Sequence, residues 1–246
     1  MISGAAIFSF GSTVSGFQGS KRLPGTQPAE PPAAAKRNSR PEQSEPAATT
    51  DDTARADVRY AYEFSQPQFV IRHIVIEHDE SGRGKMTFEK LGEESSIVEP
   101  IQLSATALAK ITGLWQALHF IDSDTNYQSD KQFAHLGTMK LRMEQGTRKR
   151  TAEFNWTHDE NASALVNEYR RVADQAILIF DISVARENQP LDAPKLMEQL
   201  EYLIKRSGLS DPRQLVPLLN EITTDEHLPL IARNHAKRLL KQISPR

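Results

Sequence analysis

The chain has 246 residues, 30 Lys and Arg against 32 Asp and Glu, a formal net charge of −2, no cysteine and 38% hydrophobic residues. That length suits one or two domains. The missing cysteine excludes thiol catalysis, Cys-ligated zinc, iron–sulfur clusters and disulfides, and the slightly acidic balance argues against a protein that grips nucleic acid through its phosphates.

Residues 1–57 read as a tail that cannot bury enough apolar area to order itself. Within residues 1–20, Ile2 to Phe10 is mildly apolar, but no Lys or Arg precedes it as a secretory signal requires. A signal peptide truncated by a start placed too far downstream and a plain tail fit equally, so the periplasm and the cytoplasm stand level. Pro24, Pro28, Pro31, Pro32, Pro41 and Pro46 then mark a Pro/Ala-rich linker, extended and semi-flexible. No run of about 18 apolar residues follows, so no transmembrane helix is expected.

The folded part starts near Val58. Phe69 to Glu77 is β-branched on both faces, which predicts a central strand. Asp79 to Gly84 is a turn, and Met86 to Leu91 returns as a second strand. Ile97 to Leu103 makes a third, placed at an edge by Pro100. Ser104 caps a helix running to about His119, with Leu103 and Leu108 as a hydrophobic staple. Leu108, Ile111, Leu114, Trp115 and Leu118 form its core stripe.

After an Asp/Asn-rich loop comes a hairpin with one wet face. Met139, Leu141 and Met143 alternate with Lys140, Arg142 and Glu144, and Ala152, Phe154 and Trp156 alternate with Thr151, Glu153 and Asn155. Ser163 to Ala185 is a long helix. Three helices end the chain: one capped by Asp192 and closed by Gly208, one from Asp211-Pro212, and one from about Asp225. The expected class is α+β, a mostly antiparallel sheet in ββ(β)α–ββα order packed by two helices. Residues 58–188 form that domain and 191–246 a helical subdomain. A helical unit of about 55 residues is marginal alone and must dock on the rest of the chain or on a partner.

Pro217-Leu218-Leu219, the turn at Asp225, Leu228-Pro229-Leu230-Ile231-Ala232 and His235-Ala236-Lys237-Arg238-Leu239-Leu240 together resemble a single HEAT-type helix pair. That likeness implies a protein-binding scaffold. The strand–strand–helix order, seen twice within 65–187, is similar to small exported bacterial domains of unknown function.

Candidate chemistry is sparse. Asp122, Asp124, Asn126 and Asp130 fit the first positions of a calcium loop, where oxygen ligands at alternate residues converge on one ion. The pattern then departs, with Tyr127 where Gly permits the turn and Phe133 where a bidentate Glu is needed. Lys140, Arg142 and Lys149, outward on the second hairpin, form a patch for an anionic partner. His73 and His78 lie near Asp79, but five residues apart on a strand puts the rings on opposite faces. Gly82-Arg83-Gly84-Lys85 lacks the spacing and the following helix of a phosphate loop. Trp115, Trp156 and Phe154 sit at core phases.

With no convergent reactive set, the sequence points to a non-catalytic protein-interaction module that needs no cofactor. The alternatives are a small-ligand or calcium-binding domain using the Asp-rich loop, and a hydrolase without a recognisable motif around His73, His78 and Asp79.

Overall fold

The computed structural model describes residues 57–244. Residues 1–56, which hold the expected tail, linker and signal-like stretch, lie outside the described residues. Six strands form one antiparallel sheet: β1 (Val58–Ser65), β2 (Ile71–Asp79), β3 (Arg83–Lys90), β4 (Ile97–Gln102), β5 (Thr138–Gln145) and β6 (Arg148–Phe154). Their spatial order is β4-β3-β2-β1-β5-β6. Helices α1 (Ala105–Ala117) and α2 (Glu160–Asn188) pack on one face, and α3 (Ala193–Lys205), α4 (Val216–Thr224) and α5 (Leu230–Ile243) follow. The class is therefore α+β with an antiparallel sheet, as the periodicity predicts.

One strand was not expected, and it lies inside the sheet. β1 pairs with β2 on one side and β5 on the other, joining the two hairpins into a single sheet. Val58, Tyr60, Tyr62 and Phe64 point into the core and alternate with Arg59, Ala61, Glu63 and Ser65. β2 is interior, as its β-branched faces require, but it begins at Ile71 rather than Phe69. Gln66 folds the chain there: its amide side chain donates to the carbonyls of Ala134 and His135, and its carbonyl accepts from the Phe69 N–H at 3.0 Å. This turn pushes Phe69 and Val70 outward. β4 takes the edge, as Pro100 dictates.

The Ser104 hydroxyl accepts from the Ala107 N–H and starts α1. α2 starts three residues before Ser163 because Asp159 is the cap, its carboxylate accepting from the Ala162 N–H at 2.8 Å. α5 starts at Leu230, since Asp225 to Pro229 is spent on the turn from α4. Asp192 stands at the α3 cap position without a side-chain cap bond.

Two hydrophobic clusters result. One lies between the sheet and α1/α2; the other gathers α3, α4 and α5 on Leu178 and Ile182 of α2. The helical part is thus docked on the second half of α2. Ser210 donates to Glu168 at 2.6 Å, Gln175 joins Gln214 and the Asp211 N–H, and Arg186 bonds Glu221 and Asp225. Among the described residues no helix is long and apolar enough to cross a membrane.

Candidate binding groove

The Asp-rich loop is pinned by arginines. Arg150 donates to the carbonyls of Phe120 (2.6 Å) and Thr125 (2.7 Å), and Asp122 is paired with Arg148. Asn126 turns its oxygen onto the Gln128 N–H, and Asp130 accepts from Ser129. Tyr127, at the position where a calcium loop needs glycine, is buried between Phe120 and Phe154. Among the described residues no three His, Asp or Glu side chains gather to share a metal ion. Asp122, Asn126 and Asp130 thus have local partners, and Asp124 lies in the same loop.

Lys140, Arg142 and Lys149 do face outward, but each is matched by acid. Lys140 lies 3.4 Å from Glu63 and 3.6 Å from Glu153. Arg142 is 2.6 Å from Glu77, and Lys149 is 2.7 Å from Glu144. On the same face His73 stands between Glu63 and Glu89. Opposite charges thus pair across these strands. Exposed pairs of this kind contribute about 0–1 kcal/mol each to stability.

His73 and His78 are on opposite faces, as their spacing requires. His78 is buried and forms one end of a polar chain. The Trp115 indole N–H donates to the Tyr169 hydroxyl (3.0 Å), which donates to His78 Nε2 (2.9 Å). His78 Nδ1–H then donates to the Asp79 carbonyl at 2.8 Å. A carbonyl only accepts, so this order fixes the neutral tautomer and satisfies every group. Burial holds the His78 ring below its ordinary value, opposed by the Asp79 carbonyl. The Asp79 carboxylate is spent on Ser81 and the Arg83 N–H. Of the three residues named for hydrolysis, His73 and His78 thus lie on opposite faces of β2, and Asp79 ends that strand.

The site that does converge was not foreseen. α2 crosses the sheet and leaves a groove of about 900 Å³ beside it, within the usual size of small-molecule sites. Phe64, Ile74, Met139 and Phe154 form its apolar floor. Phe69 (43% exposed), Val70 (74%) and Trp156 (42%) form its rim. Trp156 was expected in the core. β6 ends at Phe154, so the alternation stops there, and the indole packs edge-on against Phe133 at 5.4 Å instead.

Among the polar residues that line this largely apolar space are Tyr62, Arg170 and Asp174. The Tyr62 hydroxyl is fully buried and makes no well-formed hydrogen bond among the described residues, with the Arg170 guanidinium beside it as a nearby donor. Burial pushes its pKa up to about 12, with nearby Arg170 opposing the shift. Arg170, on the groove wall of α2, stands 5.4 Å over the Phe64 ring and donates to the Met139 sulfur at 3.4 Å. No carboxylate lies within 4.0 Å of Arg170 among the described residues, whereas Arg171 pairs with Glu168 and Arg206 with Asp174. Burial raises the Asp174 pKa, against the pull of Arg206 and Arg170.

Sequence signals for both existed. Tyr62 belongs to the alternation of β1, and Arg170 interrupts the apolar stripe between Val166 and Ala173. The sequence matches no family model and no curated protein.

Proposed function

We propose that the protein is a non-catalytic binding module that receives a guest with an apolar body in the groove between α2 and the sheet. One observation carries this reading: a largely apolar groove is lined by Tyr62, whose buried hydroxyl makes no well-formed hydrogen bond among the described residues, and by Arg170 beside it. An orphaned buried hydroxyl costs about 1–3 kcal/mol, and such groups are uncommon in folded proteins. A guest that bonds it recovers that cost on binding. The small-ligand alternative thus moves from the Asp-rich loop to the groove.

A second reading is supported by the helical part. Tyr202, Leu230 and Ile231 are exposed there, and α4 and α5 pack as the pair that resembles a HEAT repeat. A protein partner would meet that surface.

The groove is tested with N-phenyl-1-naphthylamine, a neutral apolar dye. The expected result is a saturable, one-to-one rise in dye emission, with quenching of tryptophan fluorescence that disappears in Trp156→Phe. A linear response, or quenching that survives in that variant, removes the groove as the binding site.

A further inference from the structure

We propose that the guest is an amphipathic monoanion, its carboxylate head held by Arg170 and Tyr62 and its tail laid on the floor formed by Phe64, Ile74, Met139 and Phe154. The inference rests on the groove reading and names the ligand class.

A guanidinium carries five N–H donors in a planar fork. Apart from the Tyr62 hydroxyl beside it, the acceptor that the Arg170 side chain reaches among the described residues is a thioether sulfur, a weak one. Tyr62 offers a hydroxyl that nothing in the fold accepts. Both line the same cavity. A carboxylate supplies two oxygens and about four lone-pair positions, enough to take the fork and the hydroxyl together.

Arg170, Arg171 and Arg206 stand along this side of α2 with Glu168 and Asp174. Three positive charges against two negative leave a surplus of one, and Arg170 is the arginine without a carboxylate. A half-buried cation over an aromatic ring favours one anion. A second negative charge would meet Asp174, and a cation would meet Arg170. An alcohol would satisfy Tyr62 but leave the guanidinium unpaired.

The test compares head groups on one tail. Dodecanoate, dodecanol and dodecylammonium compete with N-phenyl-1-naphthylamine at pH 8, below their aggregation limits. Dodecanoate is expected to bind about tenfold more tightly than dodecanol, since charge-assisted hydrogen bonds are the strong ones, with dodecylammonium weakest. In Arg170→Gln the advantage of dodecanoate disappears while dodecanol affinity is unchanged; Arg170→Lys, which keeps the charge but loses the fork, retains part of it. Equal binding of dodecanoate and dodecanol to the unaltered protein overturns the inference and leaves the groove standing. Dye binding that none of the three displaces also overturns it. Absence of saturable dye binding overturns the groove reading itself.

Discussion

Gly84→Ala is expected to unfold the protein at a much lower temperature. Gly84 lies opposite His78 in the β2–β3 ladder. A Cβ placed on it would sit 1.8 Å from the Glu77 carbonyl oxygen and 2.7 Å from the His78 Cα. Both obstacles are backbone, and β2 is held on its far side by β1, so neither can swing away. β3 must separate locally from β2, which disturbs the ladder and the buried His78 beside it. The cost is about 3 kcal/mol or more, the upper range for overpacking. For a chain of this size that lowers Tm by about 6–12 °C. Gly113 in α1 is the control. A Cβ there meets nothing within 4 Å, so Gly113→Ala should raise stability by about 1 kcal/mol through helix propensity. Thermal unfolding followed by circular dichroism checks both, and equal midpoints for the two variants would refute the close approach at Gly84.

Acid should weaken the fold through His78. Burial keeps the folded ring neutral below its ordinary value of 6.5, where the histidine of the unfolded chain already takes up a proton. Above pH 6.5 neither state holds that proton, and the contribution of the neutral network is whole. As pH falls through 6.5 the unfolded state gains, by at most about 1.4 kcal/mol per pH unit, until the folded ring is itself protonated. Protonation also removes the acceptor that Nε2 offers the Tyr169 hydroxyl. Urea unfolding between pH 8 and pH 5 should therefore show a falling free energy. His78→Gln, which keeps an acceptor and cannot titrate, should flatten the decline. Parallel curves for the two proteins would mean that the ring is not held neutral.

Much of the fold was legible because periodicity is local. The apolar stripe of α1, the alternation of β5 and Pro100 on β4 each name an element and the face it buries. β1 alternates just as clearly over Val58 to Ser65, yet its position between β2 and β5 is a pairing across distant segments that no local pattern encodes. The groove was hidden for the same reason. Tyr62 contributes from β1, Arg170 from α2, Met139 from β5 and Trp156 from the chain after β6, and they meet only once the sheet order is fixed. Asp122, Lys140, Arg142 and Lys149, which looked chemical, are paired with opposite charges that the linear sequence leaves unspecified. Arg150, one of the basic residues of that hairpin, reaches back to hold the loop.

Tyr62→Phe removes the buried hydroxyl by deleting one atom. Deleting an unsatisfied buried polar group stabilises a protein by about 1–3 kcal/mol. The unliganded variant is therefore predicted to be more stable than the parent in denaturant while binding dodecanoate more weakly. A variant less stable than the parent would show that the hydroxyl already has a partner within the fold, and would contradict the assignment of this groove as a site awaiting a polar guest.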